Sequence, residues 1–343
     1  MDWDQRCIRF CGALVLAAVA LRLWAGGALV SVGQALTDPA AASFLVYLNT
    51  GRIVRTLPGT EPVTPAEPEA PERISFSGAD AGKIGLDNGT SRNPDLAALL
   101  TQDLALNLRR DEPTVLILHS HTTESFTGGG YTQTSPYRTL DPEHNMIALG
   151  KLVAEILEEA GIGVIHDTAF HDYPSYNGAY NHAAQSTKAI LAEHSSLCLI
   201  LDLPRDAADT PSGQLKTACE LDGETAAQLM FVLGTDERLN HPDWERNLSL
   251  ALKLQTILEA EHPGICRNLN LTRNRYNQHL GELALLVEVG AAGNTLAQAR
   301  LAARELAEAI IRLNQGSPGG ELSQSDGGVE GWSPTVFRYI RQI

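Results

Sequence analysis

Residues 114–121 read TVLILHSH, an aliphatic run that ends in two histidines one residue apart. Four to five consecutive aliphatic residues are too few for a buried helix and suit a strand covered on both faces. Beyond it the chain alternates. The pattern predicts a strand over 114–118, a helix over 145–160 stopped by Gly161, a strand over 163–165, a helix over 178–193 and a strand over 197–201. A further strand begins at Ala227, helices cover 244–259 and 295–314, and an almost wholly aliphatic strand covers 283–287. A lead-in helix is expected over 93–108. Alternation of this kind argues for an α/β fold with a single mostly parallel sheet flanked by helices.

The 343 residues are long enough for such a domain with appendages, and 43% hydrophobic with 20% charged residues excludes a mainly disordered or coiled-coil chain. A net charge of −15 excludes nucleic acid as a partner class, since binding a phosphate backbone requires clustered positive charge. Five cysteines, Cys7, Cys11, Cys198, Cys219 and Cys266, show no C-x-x-C spacing, so a metal site must rest on histidine and carboxylate. No disulfide framework is legible.

From Phe10 to Val32 the chain is apolar apart from Arg22, with Arg6 and Arg9 before it. That length spans a bilayer, and residues 1–33 read as a single-pass, uncleaved anchor, with a signal peptide as the alternative. Either reading sends the remainder outside the cytoplasm. Residues 57–72, LPGTEPVTPAEPEAPE, form an extended linker. The expected division is 1–33 anchor, 34–92 linker and lead-in, 93–315 catalytic domain and 316–343 flexible tail.

In parallel α/β sheets the chemistry gathers at the carboxyl ends of the strands. Here those ends carry His119 and His121, His166, the cluster Asp202, Arg205 and Asp206, and Glu288. A lone strand-end histidine is more often a hydrogen-bonded loop residue than a ligand. H-x-H differs, because on an extended chain both rings project to one side at a chelating spacing. Glu288 emerges from an aliphatic strand, where desolvation raises its pKa toward the range of a general base. Asp202, Arg205 and Asp206 fit a plain ion-pair cluster as well as a catalytic one. The run HDTAFHDYPSYNGAYN from His166 reads as a loop that binds substrate or covers the core. A serine hydrolase built on Ser120 or Ser125 lacks the G-x-S-x-G elbow.

Taken together, VLILHSHTTESF, HDTAFHDYPSYNGAY, LDLPRDA, MFVLGTD, RYNQHL and LLVEVGAAGNT resemble, in this order, the stage II sporulation protein P family over about 112–311. The resemblance implies a membrane-anchored peptidoglycan hydrolase of endospore formers, related to zinc N-acetylmuramoyl-L-alanine amidases. It implies cleavage between muramic acid and L-alanine, a second activity on stem-peptide cross-links, and work in forespore engulfment with stage II sporulation proteins D and M. The location implied is the mother-cell engulfing membrane, with the catalytic domain on the wall side.

The family's H-T-H-T-T-E falls on His119 to Glu124, with Ser120 in place of the middle threonine, and its E-V-G block falls on Glu288, the catalytic carboxylate of the related amidases. The D-x-H-R-D block reads Asp202, Leu203, Pro204, Arg205, Asp206, so proline stands where a zinc-ligating histidine is expected. Asn145 likewise stands where the related amidases carry a glutamate ligand. The zinc set implied is therefore His119 and His121 with His166 and Glu124, while Asp202 or Asp206 is an alternative oxygen donor. Arg205 is expected to stabilise the oxyanion or to bind a stem-peptide carboxylate. Loss of the ligand at Pro204 also leaves open a wall-binding scaffold without turnover.

Overall fold

The computed structural model describes residues 74–135, 137–210 and 213–316. The expected anchor and tail lie outside them, as do residues 57–72. Among the described residues no helix is long and apolar enough to cross a membrane.

Eleven short strands, six α-helices and one 3-10 helix (Gln278–Leu280) follow one another in the described residues. Seven strands make the main sheet: β1 (Leu86–Asn88), β2 (Pro113–Leu118), β3 (Gly163–His166), β4 (Leu199–Asp202), β9 (Leu229–Gly234), β10 (Leu269–Thr272) and β11 (Leu283–Val289), in the order β1-β10-β9-β11-β4-β2-β3. The sheet is two parallel halves joined at one antiparallel seam. β11, β4, β2 and β3 run one way, β9, β10 and β1 the other, and β11 meets β9 antiparallel with Glu288 opposite Met230. Two small ribbons, β5 (Asp209–Thr210) with β6 (Gly213–Gln214) and β7 (Cys219–Leu221) with β8 (Glu224–Ala226), fill the connection from β4 to β9.

Side chains alternate across the sheet. Val115, Ile117, Leu201, Leu203, Leu285 and Val287 face one way, into a core shared with α1 (Gly78–Ala81), α2 (Leu96–Thr101), α3 (Met146–Glu159), α5 (Trp244–Glu261) and α6 (Leu296–Gly316). Leu116, Leu118, Ile200 and Ala284 face the other way, toward Ala183 and Ile190 of α4 (Ala179–Glu193). The two layers meet the sheet in unequal amounts, and the lighter side leaves Tyr180 and Tyr276 packed on Met230, Val232 and Leu286 near its edge.

Three expectations change. The lead-in helix shrinks to Leu96–Thr101, capped by Asp95, whose carboxylate accepts from Ala98 N at 3.0 Å. After it Leu104, Leu106 and Leu108 are buried alternately, a period of two rather than 3.6. Leu108 finds its partners in the Asn314 amide, at 2.9 and 3.0 Å, instead of a helical turn. The strand expected from Ala227 begins at Leu229, after the β7–β8 ribbon turns back. The sheet also reaches upstream of 93: β1 lies inside the stretch expected as linker and lead-in, and pairs with β10 from Leu86↔Leu269 to Asn88↔Leu271.

Candidate functional site

The carboxyl ends of β2, β3, β4 and β11 share one edge. Three residues of the segment 119–124, Ser120, Thr122 and Thr123, are fastened there by their hydroxyls. Ser120 donates from N and Oγ to the Asp202 carboxylate at 2.9 and 2.5 Å. Thr122 Oγ1 lies 2.7 Å from His119 O and 2.8 Å from Ala169 O. Thr123 donates from N and Oγ1 to Asp172 at 3.0 and 2.7 Å. Substituting serine for the family's threonine at 120 thus keeps the hydroxyl that the Asp202 carboxylate needs.

The two histidines of H-x-H part company. His119 continues the alternation of β2 on the Ile117 side, fully buried under α3. Its Nδ1–H donates to the Leu203 carbonyl at 2.9 Å, which leaves a lone pair on Nε2. That nitrogen faces His166 Nε2 at 2.9 Å, with the rings crossed at 81°. Burial, then the neighbouring imidazole, pushes the His119 pKa down to about 3, and burial pushes His166 down to about 4, so both rings are neutral at pH 7. Gly150 of α3 lies directly over the pair: a Cβ there would stand 2.4 Å from each Nε2. The absent side chain makes the space that both nitrogens share.

His121 points elsewhere. Its ring stacks on Tyr176 at 4.8 Å and meets the edge of Tyr180 at 5.2 Å, with Nδ1 buried and unpartnered. Burial lowers its pKa, partly countered by Asp202 and Asp172. The chelating H-x-H is therefore not formed, because the chain turns after Leu118 and the strand geometry on which that expectation rests ends one residue before His119.

Glu124 is also withdrawn from the imidazole pair. It is buried, accepts from Arg205 N at 3.1 Å and lies 3.5 Å from Arg138 and 3.8 Å from the Arg205 guanidinium. Burial nonetheless raises its pKa. Arg205 itself donates to three carbonyls, Ser125 O at 2.8 Å, Tyr137 O at 2.9 Å and Asp206 O at 3.1 Å. Those bonds make it a strut for the 124–138 segment. Asp202 serves Ser120, and Asp206 pairs with Arg267 at 2.6 Å, so neither oxygen donor stands free.

Glu288 follows Leu286 on the opposite face of the sheet from His119. Desolvation, with the nearby Asp206 charge adding to it, raises its pKa to about 8, and its Oε2 is buried without a partner. Between it and His119 runs the segment Leu203–Pro204: Leu203 O holds His119, and Pro204 O accepts from Val289 N at 2.9 Å. Asn145 caps α3, accepting from Ile147 N at 2.9 Å and donating to Thr139 O at 3.2 Å.

Sequence reasoning did not single out Gly150, Arg138, Asp167 or Asp172. Burial would raise the Asp167 carboxyl, but hydrogen bonds from His171 and Ser186 hold it well below the usual range. A glycine inside an otherwise good helix pattern is the one signal that pointed to Gly150, since it costs about 1 kcal/mol there unless space is needed.

As a test for a metal, the pair fits in part. Two neutral imidazoles share one space, one of them fixed by a carbonyl behind it, as metal-bound histidines are. Among the described residues, however, no group of three or more His, Cys, Asp or Glu side chains is arranged to hold a metal ion.

Solved structures with a low-scoring likeness to this chain include two amidases. They are the N-acetylmuramoyl-L-alanine amidase AmiC2 of Nostoc punctiforme (16% identity, TM-score 0.35, 58% of this chain and 93% of that one) and the CwlD amidase of Clostridioides difficile in complex with the GerS lipoprotein (14%, 0.33, 59% and 96%). In sequence, the stage II sporulation protein P of Bacillus subtilis (strain 168) is 24% identical over 260 residues, which cover 73% of this chain and 62% of that relative. Residues 61–311, a span that contains the imidazole pair, the Asp202 cluster and Glu288, match the family description "Stage II sporulation protein P". The chain belongs to the stage II sporulation protein P family.

Proposed function

We propose that this chain is a zinc-dependent peptidoglycan hydrolase of endospore formation, cleaving the amide between muramic acid and L-alanine. The observation that carries the reading is the pair of neutral imidazoles whose Nε2 atoms meet at 2.9 Å, His166 donating to His119, beneath Gly150 at the carboxyl edge of the sheet. Family membership supports the substrate. His119 and His166 would hold the zinc. Zinc bound there supplies Lewis acidity and a lowered pKa for water.

The chain's own groups divide the rest. Leu203 O fixes the His119 tautomer, α3 and the buried Thr122 exclude bulk water, and Glu288 carries a proton at neutral pH that it can give to the leaving amine. The segment Leu203–Pro204 lies between the imidazole pair and Glu288 and ties the two together through Leu203 O and Pro204 O. Stem-peptide cross-links are the second bond class in this reading. Residues 1–33 anchor the chain, and the domain works on the wall side of the engulfing membrane with stage II sporulation proteins D and M.

The two-histidine donor set favours one rival, a wall-binding scaffold that lost turnover with the ligand at Pro204. Zinc analysis of the purified full chain, with product analysis on purified cell wall, separates them. The hydrolase reading expects bound zinc and new L-alanine amino termini, whereas wall binding with neither result establishes the scaffold.

A further inference from the structure

Among the described residues four large apolar side chains are exposed, and three of them, Phe170 (37%), Tyr173 (49%) and Tyr176 (51%), lie within seven residues of one another. The loop that carries them follows His166 directly. It is not loosely held. His171 and Asp172, between the exposed rings, are buried. His171 N donates to Thr122 Oγ1 at 3.3 Å, and its ring nitrogen reaches Asp167 at 3.1 Å. Asp172 takes the two Thr123 bonds and a 2.7 Å ion pair from Arg138. The exposed rings are therefore mounted on the same residues that fasten the 119–124 segment.

The rings differ in what covers them. Tyr176 is in contact with the His121 ring at 4.8 Å and the Arg138 guanidinium at 4.4 Å. Phe170 and Tyr173 make no ring or cation contact among the described residues. Apolar faces left open on a rigid mount, beside a candidate reaction centre, are a cost unless a ligand covers them.

Charge decides which part of the wall polymer that ligand is. Stem peptides carry free carboxylates, whereas chains of N-acetylated hexosamines are neutral and present flat C–H faces. This edge carries the carboxyl groups of Glu124, Asp167, Asp172 and Asp202, beside a Glu288 that is protonated at neutral pH. Its guanidinium groups are spent: Arg138 on Asp172 and Glu124, Arg205 on three carbonyls, Arg267 on Asp206. An incoming carboxylate finds no unpaired cation there and pays for desolvation. A neutral sugar ring does not.

We propose, resting on the reading of the wall as substrate, that Phe170 and Tyr173 form a glycan subsite, which grips the N-acetylhexosamine strand and so presents the amide to the imidazole pair. The sugar, and not the stem peptide, supplies most of the affinity.

The test uses the full chain with two probes, uncharged strands of β-1,4-linked N-acetylglucosamine and free stem peptide, and measures binding at equilibrium. The wild type binds the strands more tightly than the peptide. Phe170→Ala with Tyr173→Ala weakens strand binding about tenfold or more, equivalent to about 1.4 kcal/mol, while Tyr173→Phe retains it. Both positions are exposed, and folding is checked by circular dichroism. Equal strand affinity in the wild type and the double variant overturns the subsite, as does a preference of the wild type for free peptide. Wall hydrolysis is scored separately. Strand binding lost in the double variant supports the subsite even where the wild type releases no product, a result that would sink only the hydrolase. Hydrolysis with the same KM in both proteins sinks only the subsite.

Discussion

Glu288 and Pro204 sit on either side of one hydrogen bond, Val289 N to Pro204 O, and each changes the chemistry of this edge in its own way. With a pKa of about 8, against an ordinary 4.5, Glu288 keeps its proton at neutral pH when folded and loses it when unfolded. The unfolded chain then binds fewer protons, so the stability that the buried acid contributes is complete below pH 4.5 and is lost as pH rises toward 8. Glu288→Gln keeps the volume and cannot ionise. Its denaturation midpoint should match the wild type at pH 4.5 and exceed it at pH 8.5, while wall hydrolysis falls by about 10² to 10⁴, the usual worth of a general acid–base group. Undiminished turnover would remove Glu288 from the mechanism. At Pro204 the expectation runs the other way. A third imidazole beside Leu203, whose carbonyl already holds His119, would complete a three-ligand set. Pro204→His should raise zinc affinity in competitive chelator titration, with folding checked because the backbone loses a proline; equal affinity in the two proteins would show that position 204 is not a missing ligand.

At the scale of elements, α3 is the piece whose packing the site depends on, and Gly150 is where it does so. Alanine is the better helix former by about 1 kcal/mol, so on propensity alone Gly150→Ala should stabilise the protein. The Cβ would instead meet two imidazole nitrogens at 2.4 Å, and overpacking of this kind costs about 1–3 kcal/mol. We expect Gly150→Ala to unfold at lower denaturant and to lose bound zinc. A variant with higher stability and unchanged zinc would mean that the rings have room to spare. The sequence made α3 legible by its apolar period, its Asn145 cap and Gly161, as it did β2, β4 and β11 by their aliphatic runs. It did not show β1 or β10, which are three and four residues long with polar residues at Asp87, Asn88 and Asn270, and which become strands only by pairing with each other and with β9. The site was legible as a set of strand ends and not as a set of contacts. H-x-H reads as a chelate only while the backbone stays extended, and the hydroxyls of Ser120 and Thr123 bend it around Asp202 and Asp172.

Across the whole molecule, the antiparallel seam between β11 and β9 sends the carboxyl ends of the two parallel halves to opposite edges of the sheet. The candidate site takes one edge. The other, after β9 and β10, carries a second buried ring: His241 is fully enclosed, accepts from the Asn247 amide at 3.3 Å, and has an unpartnered Nδ1, with the His279 ring 6.5 Å away. Burial first, then His279, pushes the His241 pKa down to about 4; Asp243 and Asp236 oppose that shift, and Arg275 adds to it. The unfolded chain takes up the proton near pH 6.5, so the stability that neutral His241 confers is present above pH 6.5 and drains away as pH falls toward 4. Acidification also relieves the self-repulsion of a chain with net charge −15, which acts in the opposite direction, so the wild type alone cannot reveal the histidine's share. His241→Gln can. Glutamine places a carbonyl oxygen within reach of the Asn247 donor and carries no charge at any pH. Between pH 7 and pH 4.5 the urea midpoint of the wild type should fall further than that of His241→Gln, whereas parallel falls would clear His241 of the acid sensitivity.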